Sequence, residues 1–336
     1  MSDLPPAAEL LRLTSAGWVA QAISVAARLR LADMVTDGAK GVDELAAHTQ
    51  THGPSLFRLM RALASVGIFA DEADGRFALT PPASPLRSDA PGSVRAMCAM
   101  RGERWFWDTW GELLHSVTTG ELAFEHVHGQ ELFAFLQQDA AAMSLFAEAM
   151  SSLSGTETAA ILAAYDFSAG GTVVDVGGGH GTFLAAILHA NTGVHCVLVD
   201  LPATVTSAHG VLEAAGVADR CKVIAGDFFD TVPEGGDLYV LKSVIHDWDD
   251  DRAAAILGNC RRAMGDSGKL LLIERVIPAA NQPSIAKWMD LNMLVATGGR
   301  ERTEAEYHCL YTQAGFELSR VQATPASVSL IEGTPT

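Results

Sequence analysis

Residues 172–188, TVVDVGGGHGTFLAAIL, open as a β-branched apolar run, pass through Gly177, Gly178, Gly179 and Gly181, and continue as an apolar helical segment. That order predicts a strand, a sharp turn and a helix. Glycines let the backbone turn tightly and bring a ligand close, and the helix start presents N–H groups without intrahelical partners. The nicotinamide-type pattern G-x-G-x-x-G is missed, because counting from Gly177 the sixth position is Thr182.

Outward from this stretch, short apolar runs alternate with helical segments: VHCVLVD (194–200), CKVIAGD (221–227), DLYVLKSV (237–244) and KLLLIERV (269–276). Such alternation predicts an α/β, doubly wound parallel sheet whose ligands lie beyond the carboxyl ends of its strands. The last run, FELSRVQATPASVSLIEGTP (316–335), has two strands and no helix between them. It is expected to form an antiparallel hairpin at the sheet edge.

Three successive strands end in an acid. Asp175 precedes the glycine turn, Asp200 ends the second strand where a carboxylate accepts hydrogen bonds from a ribose diol, and Asp227 with Phe228 ends the third, suited to an adenine amino group and ring face. The fourth run turns polar at Lys242, Ser243, His246, Asp247 and Trp248, and the fifth ends in Glu274.

Upstream, the spacing of apolar residues predicts helix over 8–35. Residues 42–80 read as helix, turn, helix and two short strands joined by Asp74-Gly75, a winged-helix pattern. Its second helix, 54–66, carries only Arg58 and Arg61 among apolar residues, which suits protein packing rather than groove reading. The Pro- and Ser-rich stretch 79–92 is expected to be a linker. Residues 104–165 are helical and rich in aromatic residues and methionine, material for a core or for a planar-substrate pocket.

The 336 residues suit two domains, and a formal net charge of -17 argues against nucleic-acid or anionic-membrane partners. With no basic stretch before an apolar segment and no apolar run of ~18 residues, the chain is expected to be soluble and cytoplasmic. The five scattered cysteines indicate neither a disulfide framework nor a zinc site. Asp249, Asp250 and Asp251 fit a helix start, and His126 and His128 fit a loop, so no metal is expected.

Asp175-x-Gly177-x-Gly179-x-Gly181, Asp200-Leu201-Pro202, Gly226-Asp227, Lys242 and His246-Asp247-Trp248 resemble the S-adenosylmethionine-dependent small-molecule O-methyltransferases of the caffeate and isoflavone type, which include bacterial antibiotic-tailoring enzymes. The resemblance covers nearly the whole chain. It implies a Rossmann-like seven-stranded methyltransferase domain over 101–336, with a helical substrate-pocket segment at 101–165. A helical, winged-helix-like dimerisation domain would occupy 1–100 of a homodimer.

It also implies that S-adenosylmethionine is held by Asp175, Gly177, Gly179, Asp200, Leu201, Asp227, Phe228, Lys242 and Ser243. The acceptor, an aromatic small molecule, would meet Trp105, Met143, Phe146 and Met150, together with Asp247, Met289, Asn292 and Met293. A phenol with a pKa near ~10 is a poor nucleophile at neutral pH, so a base is needed. His246, expected to titrate near ~6.5 and thus to be neutral, fits by type and place, and the resemblance pairs it with Glu274 and Glu301. Rival readings are methylation of a ring nitrogen, a diverted reaction on the same scaffold, and a winged-helix regulator that senses an adenosine-type ligand.

Overall fold

The computed structural model describes residues 4–72, 74–169 and 171–336. The chain forms two compact units, Met1–Asp108 with Phe133–Leu153, and Thr109–Leu132 with Ser154–Thr336.

In the first unit the expected 8–35 helix is three helices, Pro6–Thr14, Ala16–Arg28 and Leu31–Met34. Arg30, with φ 53°, breaks the last two apart. Helices Val42–Thr49 and Gly53–Ser65 precede strands Phe69–Asp71 and Arg76–Leu79, which pair antiparallel as expected. A third strand that the sequence did not suggest, Lys40–Gly41, joins their sheet. Leu56, Met60 and Leu63 of the second helix are buried in the core, leaving Arg58 and Arg61 outward.

The stretch expected as a linker is instead built into this unit. Thr80 caps a short 3-10 helix, Pro81–Leu86, by accepting from the N–H of Ala83, and Ala83 and Leu86 enter the core. Prolines at the start of such a turn lose no hydrogen bond there, so composition alone misled.

The first two helices expose Leu10, Leu11 and Leu13, and Trp18 is 78% exposed. By length and composition, Pro6–Arg28 is apolar enough to cross a bilayer, against the expectation that no run reaches that length. The two helices continue through Ser15 in helical geometry, so scattered polar residues do not shorten the segment.

The second unit carries a seven-stranded sheet: β1 (Gly171–Val176), β2 (Val194–Asp200), β3 (Cys221–Ala225), β4 (Leu238–Lys242), β5 (Lys269–Glu274), β6 (Phe316–Ala323) and β7 (Ser329–Pro335). Their spatial order is β6-β7-β5-β4-β1-β2-β3. Strands β1 to β5 are parallel, and the β6/β7 hairpin is antiparallel with β6 at the edge, as expected. Apolar clusters cover both faces, so β4 and β5 are uninterrupted apolar runs. Each fully buried Leu or Val there contributes roughly 1.5–3 kcal/mol. The order of strands sets the carboxyl ends of β3, β2, β1, β4 and β5 in one row.

Candidate active site

After β1, Gly177 and Gly179 take left-handed backbone, φ 76° and 58°, and Gly181 starts helix Thr182–Ala190. Gly177 allows this at no steric cost, and its N–H bonds Val199 of β2. Asp175 is 1% exposed, packed against Gly178, and burial pushes its carboxyl up to about 7, with Lys242 opposing. At the end of β2, Asp200 Oδ2 accepts from the N–H of Gly179 at 2.8 Å and Oδ1 from the N–H of Leu201 at 2.7 Å. This carboxylate therefore shapes the glycine turn, and each oxygen retains a lone pair for a ligand hydroxyl. Asp227 accepts from Phe229, and Phe228 lies half-buried beside Phe229 and Trp248. Glycine turn, two half-buried carboxylates and an aromatic face along one edge form a cradle that fits a nucleoside.

Beyond β4 the chain bends sharply. Ser243 holds φ 55°, a conformation that costs a non-glycine residue about 1–3 kcal/mol and marks functional turns. Val244 leads into a 3-10 turn, Ile245–Asp247, that buries His246. Because β5 runs beside β4, Glu274 arrives under this turn, fully buried. Its Oε1 accepts from the N–H of Val244 at 2.9 Å and of Ile245 at 2.8 Å. Its other oxygen lies 3.1 Å from His246 Nδ1.

Glu301, also buried, comes 3.5 Å from the same nitrogen, and Asp247 lies 3.7 Å from Nε2. A two-residue parallel ladder, Arg302 against Val276 and Thr303 against Ile277, is what brings Glu301 alongside β5. Its N–H donates to Asp290.

Three carboxylates face the histidine from its own turn, from β5 and from the Glu301 segment. Burial pulls its pKa down, but Glu274, Asp247 and Glu301 outweigh that and hold it well above 6.5. His246, Glu274 and Glu301 bring donor atoms within 4.8 Å of one another, close enough to surround a cation. Arg275 also approaches, 3.9 Å from Glu301.

Several positioning residues were missed by the sequence reading. Arg302 is fully buried and donates to the carbonyls of Ile245 and Trp248 at 3.1 and 2.9 Å, tying down the histidine turn. Arg300 N–H bonds the carbonyl of His246 at 2.8 Å. A Cβ on Gly299 would stand 2.0 Å from that carbonyl oxygen. Gly299→Ala is therefore expected to push the Glu301 segment off the turn, destabilising the protein by about 1–3 kcal/mol and lowering kcat. Thermal unfolding beside steady-state rates checks both effects. The clue in the sequence was GGRERT itself, glycines next to clustered charge.

Lys242 is not in solvent: its Nζ pairs with buried Glu157 at 2.9 Å. Of the expected acceptor residues, Trp105, Met143, Phe146 and Met150 lie in the first unit and Asp247, Met289, Asn292 and Met293 in the second. Trp105 and Phe146 pack on the cluster of Met97 and Met100, while Met293 is buried. Asn292 Oδ1 accepts from the Trp110 indole at 3.0 Å. Asp249 caps helix Asp250–Ala263, as expected. His126 and His128 end a short helix rather than occupying a loop, with His126 stacked on His115 at 3.9 Å.

Residues 110–317 match the O-methyltransferase domain and residues 11–89 the O-methyltransferase dimerisation domain. The latter match makes the chain a homodimer. The phenazine O-methyltransferase of Lysobacter antibioticus is 42% identical over 99% of this chain and 97% of its own. The solved structure of LaPhzM covers 99% of this chain and 100% of its own, with TM-score 0.93 and 42% identity.

NcsB1 from neocarzinostatin biosynthesis, solved with S-adenosylmethionine and 2-hydroxy-5-methyl naphthoic acid, has TM-score 0.80 and 36% identity, covering 95% of this chain and 96% of its own. Relatives include N-methyltransferases, of phenazine-1-carboxylate in Pseudomonas aeruginosa (32% identical, covering 98% of both chains) and of 8-amino-8-demethylriboflavin in Streptomyces davaonensis (36%, covering 89% and 87%). With both domain matches in chain order and the nucleoside cradle in place, the chain belongs to the O-methyltransferase family and is an S-adenosylmethionine-dependent methyltransferase.

Proposed function

We propose that this enzyme moves the methyl group of S-adenosylmethionine to a hydroxyl of an aromatic small molecule of secondary metabolism, with His246 as general base. The observation that carries this reading is a buried imidazole within ion-pair distance of Glu274 and Glu301, in the turn that follows the strand beside β1. When bound, S-adenosylmethionine supplies a methyl group already activated by its sulfonium. His246 Nε2 would take the proton of the acceptor hydroxyl, leaving its oxygen ready to receive that methyl group. Glu274 and Glu301 stabilise the resulting imidazolium.

The cofactor is held by Asp175, Gly177, Gly179, Asp200, Leu201, Asp227, Phe228, Lys242 and Ser243, with Asp200 accepting from the ribose hydroxyls. Asp247, Met289, Asn292 and Met293 serve the acceptor. Residues 1–100 act in dimerisation and 101–336 in catalysis. The enzyme works in the cytoplasm.

A ring nitrogen needs no deprotonation, so the base at His246 favours oxygen, although N-methyltransferases stand among the relatives. Formation of S-adenosylhomocysteine with a hydroxynaphthoic acid or a hydroxyphenazine tests the reaction. In calorimetry, Asp200→Ala is expected to weaken S-adenosylhomocysteine binding roughly 10- to 100-fold, the loss of hydrogen bonds to a charged acceptor. Unchanged binding would remove Asp200 from the cofactor site.

A further inference from the structure

A row of buried charges of alternating sign runs from the end of β4 to the histidine. Lys242 Nζ lies 2.9 Å from Glu157 Oε2, and Glu157 Oε1 lies 3.0 Å from the Arg275 guanidinium. Arg275 lies 3.9 Å from Glu301 Oε1, and Glu301 lies 3.5 Å from His246 Nδ1. Side-chain exposure along the row never passes 10%. Ser327 donates to Glu157, and Tyr307 donates to the carbonyl of Arg275, fixing the middle of the row from β7's side and from helix Glu304–Gln313.

We infer that Arg275 and Glu157 are positioning residues that act through Glu301 to set how tightly His246 holds its proton. The inference rests on His246 as the base. In a medium of low dielectric, charges several ångströms apart still interact strongly, and a buried charge whose partner is removed is costly. Arg275 offsets part of the negative potential that Glu274, Glu301 and Asp247 impose on the imidazole. Glu157 in turn holds Arg275 and keeps its charge from acting in full. Asp290 and Arg302 face the same group more remotely, through the N–H of Glu301 and the carbonyl of Ile245. Neither belongs to the row.

This arrangement makes a prediction that a merely structural role does not. Removing the cation should tighten the proton on His246, and removing the anion should loosen it. Histidine ring chemical shifts titrated by NMR in the full-length dimer, with His246→Asn used to assign the signal, read this without turnover. Arg275→Met is expected to raise the His246 pKa and Glu157→Gln to lower it, each by on the order of one unit. Arg275→Lys is expected to stay close to the parent, which separates charge from packing. If Arg275→Met does not fold, the Arg275→Lys and Glu157→Gln pair still decides, since only the second should move the titration.

The rising limb of kcat against pH should move with each ring pKa. Shifts of the same sign, or none, overturn the inference. If the ring shifts oppose but His246→Asn turns over at the parental rate, the base assignment falls instead, and with it the catalytic meaning of the row.

Discussion

Replacing His246 by asparagine is expected to lower kcat by about 10²- to 10⁴-fold, the usual span for loss of a positioned general base. S-adenosylhomocysteine affinity should change little, because His246 is not among the residues proposed to hold the cofactor at the ends of β1 to β4 and lies further along the turn. Asparagine is small enough for the space and cannot take the proton. Single-turnover rates with saturating S-adenosylmethionine, beside calorimetry of both proteins, separate chemistry from binding. A variant that binds normally and reacts at the parental rate would show that the acceptor ionises without this histidine. N-methylation would then become the better reading.

Glu274→Gln is expected to be nearly as damaging and to move the pH dependence in a defined direction. The glutamine carbonyl can still accept from Val244 and Ile245, so the histidine turn stays in place. Its amide would face Nδ1, where the parent protein has a carboxylate oxygen 3.1 Å away.

The sign follows from the charge lost. His246 is held well above 6.5 by Glu274, Asp247 and Glu301 against the pull of burial, so the parent must lose a proton before it can act as base. Its rate should therefore rise with pH through an apparent pKa above 6.5. Without Glu274 the imidazolium is less stable, and that limb moves to lower pH. The same instability lowers the plateau on the order of 10²- to 10⁴-fold, as for other acids that orient a catalytic imidazole. A limb that stays in place or moves upward in a pH series of kcat/KM would remove Glu274 from control of the histidine.

Much of the site could be read in the sequence because an acid at the end of an apolar run is a local signal. Asp200 and Glu274 end runs of residues that must be buried and Asp175 is the penultimate residue of another, so the point where polarity appears marks the strand's end and the ligand side of the sheet. Glu301 was reached only through a family resemblance, since GGRERT has no periodicity to place it. Glu157 was missed altogether. With Glu148 it is one of two charged residues in helix Ala140–Ala164, an isolated acid among small and apolar residues, and that isolation was the available clue. Its partners lie 85 and 118 positions further on, a pairing no local pattern carries.

Errors of sequence reading share one cause. Residues 79–92 look like a linker by composition, yet Thr80, Ala83 and Leu86 lock the stretch into the first unit. A histidine has an ordinary pKa near ~6.5, yet the carboxylates packed around this one hold its pKa well above that. In both cases composition reports what a residue does when surrounded by water, and the fold removes the water.

The sequence by itself determined the doubly wound sheet, the glycine turn after β1, the row of acids along its edge and the antiparallel closing hairpin. Each follows from hydrophobic period and from residue types acting over a few positions. Only the tertiary structure decided which charges meet. The two-residue ladder of Arg302–Thr303 on Val276–Ile277 carries Glu301 to His246, and Arg275 reaches Glu157 across the same buried layer. Proton affinity in a buried site depends on the sum of charges converging on one atom, and that sum exists only once distant segments are packed together.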